Sequence, residues 1–239
     1  MSAKADTLRA LHEQRPLVLP NVWDAASART VADAGFPALA TSSGALVNAL
    51  GYEDHEQAPV DEVLAAVARI TRSVDIPVTA DVEAGYGLGP AEIVERLLDA
   101  GAVGCNLEDT DHAAGALRPA DEQAEWLGTV VDLAAGRLVV NARVDTYLGG
   151  SRRDDDAIAR ATAYLGAGVD CTYPIGFLDE ATTARLVDAI PGPGHVLSFP
   201  DGPARGRLGD LGVARITFGS SLFKAVMSSL ADRVEGLRP

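Results

Sequence analysis

Eight short runs rich in β-branched and small apolar residues recur along the chain, each separated from the next by room for a helix. No other feature limits the fold as tightly. The runs are "LVLPN" (17–21), "ALATS" (38–42), "IPVTADVE" (76–83), "VGCNLED" (103–109), "RLVVNAR" (137–143), "VDCTYP" (169–174), "HVLSFP" (195–200) and "ARITFG" (214–219). Between them, apolar residues return at three- and four-residue spacing, as in "PVDEVLAAVARITRS" and "PAEIVERLLDAGA", the period of a helix with one buried face. Pro59 and Pro90 stand at first-turn positions, and "DAG" twice ends a helix just before a strand. Strands joined in series by helical crossovers lie parallel, and eight such units within 239 residues close more readily into a ring than into an open sheet. The expected fold is α/β, a single (β/α)8 TIM-type barrel over residues 1–239. One extra helix at about 2–14 precedes it, and an amphipathic helix follows the last strand.

Composition narrows the partners. Hydrophobic types make up 47% of the chain, ample for one sizeable core, and the formal charge is -14, from 20 Lys and Arg against 34 Asp and Glu. Nothing basic is available to replace phosphate counterions, which argues against nucleic acid. An anionic substrate would need a local counter-charge, from an arginine or a metal ion. The first residues, "MSAKADTLRALHEQRP", hold no apolar leader, and no run approaches the roughly 18 apolar residues of a membrane span. Cys105 and Cys171 lie far apart without a CxxC and read as reduced core thiols. The expectation is a cytoplasmic protein that engages neither membrane nor nucleic acid.

Polar residues gather at the ends of the runs. The first ends in Asn21, the second in Thr41-Ser42-Ser43-Gly44, the third in Asp81 and Glu83, the fourth in Asn106 and Glu108, the fifth in Asn141 and Arg143. Three of these are i, i+2 pairs, which a strand presents on one face. In a barrel of this kind the loops after the strands build the active site. Asp24, before "AASARTVADAG", fits a helix N-cap, and Asp109 and Asp111 read as caps or as solvated acids. The acidic "RRDDDAIAR" reads as a solvated helix start. Asp81, Glu83 and Glu108 stand on neighbouring strands and cannot all be caps. Three facing carboxylates raise one another's pKa unless a cation intervenes. Oxygen donors without a His or Cys cluster point to Mg²⁺ or Mn²⁺.

These residues carry a resemblance to the isocitrate lyase and phosphoenolpyruvate mutase superfamily, and to its short bacterial phosphonomutase-like members. It runs through "LVLPNVWDAASARTVADAGF", "TSSGALVNALGYEDHE", "PVTADVEAGYG", "GAVGCNLED", "NARVDTYL" and "GVARITFGSSL", nearly the whole chain. The resemblance implies a Mg²⁺-binding barrel that cleaves or rearranges a C–C or C–P bond beside a 2-oxo acid, through an enolate-like species. It assigns Asp81, Glu83 and Glu108 to the metal, some of them acting through water, and Asp54 to the neighbourhood of metal and substrate. Ser42, Ser43 and Gly44 would take a substrate carboxylate, and Arg143 would clamp the substrate's anionic oxygens.

One segment departs from the family. Its lyases carry Lys-Lys-Cys-Gly-His after the fourth strand and its phosphomutases a Lys-Asn-Ser version. This chain has "DTDHAAGALRP", with neither lysine nor cysteine. His112, the one group there that titrates near neutrality unperturbed, reads as a solvated loop histidine, as does His55. His12 and His195 read as surface or packing residues. The resulting expectation is a Mg²⁺-dependent lyase of a small 2-oxo or 2-hydroxy carboxylate, with Asp54 and Arg143 catalytic and the 110–120 loop as a lid. The alternatives are a mutase or hydrolase of a phosphonopyruvate-like C–P bond, and a barrel that binds a metabolite without turnover. In the last helix, Leu222, Phe223, Val226, Met227 and Leu230 form an apolar face. That face could pack on its own barrel or be swapped between subunits, in a homodimer or tetramer.

Overall fold

The computed structural model describes residues 3–13, 16–148 and 153–238. The outer ends of the expected 2–14 helix, and Arg152 of the acidic run, fall outside these. The chain runs α1 (Ala3–Leu11), β1 (Leu17–Val18), β2 (Asn21–Val22), α2 (Ala25–Asp33), β3 (Leu39–Thr41), α3 (Ser43–Leu50), α4 (Val60–Arg72), β4 (Val78–Asp81) and α5 (Pro90–Asp99). It continues with β5 (Gly104–Glu108), a small hairpin of β6 (Thr110–Asp111) and β7 (Ala116–Leu117), α6 (Ala120–Ala134), β8 (Val139–Val144) and α7 (Asp154–Gly166). Then follow β9 (Cys171–Pro174), α8 (Glu180–Ala189), β10 (His195–Leu197), α9 (Arg205–Asp210), β11 (Arg215–Thr217) and α10 (Ser221–Glu235).

Each of the eight runs supplies a strand, and all pairings between them are parallel. Six strands follow one another as β2-β3-β4-β5-β8-β9, and three as β1-β11-β10. Two thin joints link the groups. The Thr172–Gly194 bridge carries β9 to the foot of β10. At the other joint the first run is split by Leu19 and Pro20, and Pro20 has no N–H to give. Leu19 N still donates to Ile216 O on one side, while Pro20 O accepts from Ala40 N on the other. The pairings thus run round a ring.

Local chemistry sets the element ends. Asp24 caps α2 through Ser27 N, with the Ser27 hydroxyl answering the Asp24 backbone. Both "DAG" endings place glycine in the left-handed region, Gly35 at φ 86° and Gly101 at φ 80°. Two elements depart from expectation. Ser43 and Gly44 are not loop residues but the first turn of α3, capped by Ser42. The segment after β5 folds back as the β6–β7 hairpin rather than as a plain loop.

The larger core lies between the outer faces of the strands and the helices, around Leu39, Val67, Ile70, Ile93, Leu107 and Val140. A second core plugs the N-terminal mouth, where Ala5 and Leu8 of α1 meet Leu17, Leu19, Ala40 and Val139. Gly104 makes room for this plug: a side chain there would meet Leu8 Cδ2 at 2.9 Å and Thr79 Oγ1 at 3.0 Å. Burying a leucine of this kind contributes roughly 2 kcal/mol. Cys105 and Cys171 are buried and are not disulfide-bonded. No described helix is long and apolar enough to cross a membrane. Helix α10 buries no residue and leaves Val226, Met227, Leu230 and Val234 exposed. It touches the barrel where the Phe223 ring meets Trp23 edge-on, 5.2 Å between centroids.

Candidate active site

The i, i+2 pairs divide by depth. Asp81, which ends β4, lies in register with Asn106 on β5, and Asn106 with Asn141 on β8; Glu83, Glu108 and Arg143 stand two residues higher, with Glu108 and Arg143 directly opposite in register. At the lower level Asn106 and Asn141 turn into the barrel and bond each other at 2.7 Å.

Asp81 is held against the start of α3. Its Oδ2 accepts from Ser43 N at 3.2 Å and Ser43 Oγ at 2.9 Å. Its Oδ1 is buried without a hydrogen-bond partner. Burial raises the Asp81 pKa, against the pull of Arg143 and the Ser43 hydrogen bonds. Glu83 follows in a left-handed backbone conformation. Its Oε2 accepts from Glu56 N at 2.7 Å and its Oε1 from Tyr86 Oη at 2.5 Å. Burial, with Asp54 and Asp81 nearby, pushes the Glu83 pKa up to about 7 despite these bonds. Of the five described non-glycine residues with positive φ, four (His55, Glu56, Glu83 and Tyr86) lie in these two segments, so backbone strain concentrates at this rim.

Glu108 pairs with Arg143 through Oε2 and with His112 Nε2 through Oε1, the latter at 2.6 Å. Burial pushes its pKa also up to about 7, against Arg143 and His112. His112 is therefore not a solvated loop residue: the hairpin lays it on Glu108, and the hydrogen bond raises its pKa. His55 lies beside it, 5.2 Å between ring centroids, although His55 itself is exposed. Arg143 is gripped from the other side by Asp145, Nε to Oδ1 at 2.6 Å and Nη2 to Oδ2 at 3.1 Å. The surrounding acids hold it charged.

Asp109 is neither a cap nor solvated. It is fully buried behind Asp145, accepting from Asp145 N at 2.9 Å, Tyr164 Oη at 2.8 Å and Arg160 Nη1 at 3.1 Å. Arg160 closes the "RRDDDAIAR" run, so that run is solvated at its start and anchored inside at its end. Asp54 sits on the exposed α3–α4 loop, with its carboxylate against the first turn of α3. A Cβ on Gly44 would stand 2.6 Å from Asp54 Oδ2 and 3.0 Å from Ser220 Oγ. Ser42 Oγ caps α3 at Ala45 N and also meets Ser220 Oγ at 3.0 Å.

The three acids assigned to a metal do not close on one point: among the described residues no group of three or more His, Cys, Asp or Glu is placed to hold an ion. Glu83 and Glu108 are engaged elsewhere: Glu108 Oε2, which has no hydrogen bond, is ion-paired with Arg143, whereas Asp81 Oδ1 has neither a hydrogen bond nor an ion pair among the described residues. The donor set nevertheless fits a hard cation. Every candidate ligand is a carboxylate oxygen, and the burial that raises these pKa values, with a smaller share from neighbouring acids, is a cost that a divalent ion would offset. Asp81 would bind it directly, with Glu83 and Glu108 behind.

The sequence pattern passed over several members of this rim. Asp145 continues the strand alternation two residues beyond Arg143 and could have been read from it. Tyr86, between two glycines, and Ser220, from the far end of the chain, gave no local signal. Asp109 was hidden because its partners Arg160 and Tyr164 come from a helix more than 50 residues away.

Comparison with known proteins shows the family and the fold. The profile of the phosphoenolpyruvate phosphomutase family matches residues 8–238. The fold superposes on a provisionally assigned phosphonomutase from Burkholderia cenocepacia J2315 with a TM-score of 0.92 and 39% identity, covering 98% of this chain and 100% of that one. An uncharacterised protein of Mycobacterium tuberculosis H37Rv is 32% identical over 221 residues, 92% of this chain and 84% of its own length. The oxaloacetate decarboxylase of Bradyrhizobium sp. BTAi1 is 34% identical over 200 residues, 79% of this chain and 67% of that enzyme.

Proposed function

We propose, for a chain that belongs to the phosphoenolpyruvate phosphomutase family, a Mg²⁺-dependent lyase that cleaves a carbon–carbon bond adjacent to a small 2-oxo or 2-hydroxy carboxylate, through an enolate-like intermediate. The observation that carries this reading is the bare Asp81 oxygen at a rim where Arg143 is already oriented. Bound Mg²⁺ would stabilise the negative charge that reaches the 2-oxygen of a 2-oxo acid as the bond between its C3 and C4 breaks and leaves the electron pair as an enolate. Arg143 presents a planar guanidinium fixed by Asp145, so it can orient a carboxylate without first losing its own rotational freedom. In the first turn of α3, where Ser43 N donates to Asp81 and Ala45 N to Ser42, the Gly44 N–H is the donor offered to substrate, and Gly44 keeps that turn open to Asp54. Asp54 takes or relays the proton. His112 holds a proton at Nε2 against Glu108, in the segment where lyases of the family carry cysteine. The β6–β7 hairpin that carries His112 excludes water from that side.

Oxaloacetate is the first substrate to test, because a relative is named for its decarboxylation. Decarboxylation and proton exchange at the methyl group of pyruvate, both followed by NMR, are expected to need Mg²⁺ and to stop in the Asp81→Ala protein. Exchange that persists in EDTA overturns the reading. A C–P bond substrate is the second reading, favoured by the phosphonomutase-type neighbour. Turnover of phosphonopyruvate followed by ³¹P NMR, faster than that of any 2-oxo dicarboxylate, would replace the first with the second. Metal binding without turnover of either substrate would leave a metabolite-binding barrel. The bare apolar stripe of α10 is best covered by a second copy of the chain, in a dimer or tetramer. A monomeric mass in sedimentation would reject this assembly.

A further inference from the structure

Arg215 stands at the foot of β11, with its Cα between those of Leu17 and His195 on the flanking strands, and is completely buried. Its Nη2 donates to Asn106 Oδ1 at 3.2 Å across the barrel interior. The same oxygen accepts from Asn141 Nδ2, which also lies 3.0 Å from His195 Nδ1. The Nε and Nη1 of Arg215 have no hydrogen-bond partner among the described residues, and no carboxylate pairs with it there. Water could satisfy these N–H groups but would not cancel the charge.

The titratable groups that face Arg215 are Cys171, Tyr173, Asp81 and Cys105, with His12 and His195 close enough to feel it. Burial pushes the Cys105 thiol up to about 12 and raises the Tyr173 phenol, so neither carries charge at neutral pH. Burial also lowers both histidines and keeps them neutral. Asp81 is the one carboxylate in the set. It lies on β4 in register with Asn106, the residue that accepts from Arg215.

We propose that Arg215 is a positioning residue for the rim: a fixed positive charge inside the barrel, braced on Asn106 beside Asp81, that strengthens binding of a carboxylate substrate and weakens binding of the divalent cation. The reason lies in the charge at the rim. Asp54, Asp81, Glu83, Glu108 and Asp145 outnumber Arg143 together with a divalent ion, so an anionic substrate would enter a repulsive field without a further cation below. The effect on substrate rests on the function proposed above; the absence of a counter-charge at Arg215 does not.

Titration calorimetry with Mg²⁺ alone, then with oxalate in saturating Mg²⁺, tests it on the wild-type, Arg215→Met and Arg215→Lys proteins. Removing the charge is expected to tighten Mg²⁺ by about 3- to 10-fold and to weaken oxalate by about 10-fold, with Lys restoring both. Both affinities unchanged in the Met protein, both falling together as they would from lost structure, or no rescue by Lys overturns the proposal. Should the Met protein fail to fold, Asn106→Asp places a carboxylate against the guanidinium. Its melting temperature is expected to rise, because the charge gains a partner, and a lower one overturns the proposal. A wild-type protein that binds neither Mg²⁺ nor oxalate removes the proposed function, while the melting comparison still decides whether Arg215 lacks a counter-charge.

Discussion

The two mouths of the barrel are built on opposite principles. At the N-terminal mouth α1 presses Ala5 and Leu8 onto Leu17, Leu19, Ala40 and Val139, with Gly104 bare to admit them. At the C-terminal mouth the same strands end in acids held by an arginine, a histidine and a tyrosine, with backbone strain in both adjoining loops. One end is closed by shape, the other held open by charge. The contrast teaches that folding and chemistry in this chain can be perturbed separately, and mutations at the two ends should show it.

Asp81→Ala carries the largest expected effect on chemistry, a loss of at least about a hundredfold in Mg²⁺-dependent turnover with little change in melting temperature. Leu8→Ala should do the reverse, costing about 2–5 kcal/mol by denaturant unfolding while turnover per folded molecule survives. Equal effects of the two substitutions on either measurement would break the comparison. Gly44→Ala sharpens it at the rim, since its Cβ would displace Asp54 from 2.6 Å. Turnover is expected to drop by up to about a hundredfold with the fold retained, and unchanged kinetics would take Asp54 out of the mechanism.

The smallest expected effect is a difference in sign with pH. His12, under the plug, has its pKa lowered from 6.5 to about 4 by burial and then by Arg215, while its Nδ1 bonds Leu8 O. The unfolded chain binds that proton more readily, so this stability is present above about pH 6.5 and is lost as pH falls toward 4. Glu83 is the opposite case. Its pKa is raised from 4.5 to about 7, so the folded protein takes up the proton first, and its contribution improves as pH falls from 7 toward 4.5. Each term is worth on the order of 3 kcal/mol at full extent. In EDTA, urea midpoints measured across this range should lose less toward acid in His12→Gln and more in Glu83→Gln. Parallel shifts in the two variants would contradict the assignment.

The scaffold was legible because strand and helix periods differ and because Asp24, Gly35 and Gly101 punctuate them locally. All eight strand runs, the α2 cap and the two buried thiols follow from such short-range rules. The rim was legible only in part. That acids and an arginine end β4, β5 and β8 follows from the i, i+2 rule, but the partner each one takes does not. Glu108 lies with Arg143 and His112 rather than with Asp81 and Glu83, because the β6–β7 hairpin delivers the imidazole and strand register delivers the guanidinium. The Asp109–Arg160–Tyr164 cluster and the Ser42–Ser220 contact join segments between 51 and 178 residues apart, distances at which no periodicity carries information.

The proline gap in the first run and the solitary Thr172–Gly194 bridge mark off β10, β11 and β1 as a panel hung between two weak seams. Breathing of the wall should start there, so amide protons of Val196 and Ile216 are expected to exchange for deuterium before those of Cys105 and Val140. The first strand and the last two, β1, β10 and β11, thus share the stretch of staves that should loosen first.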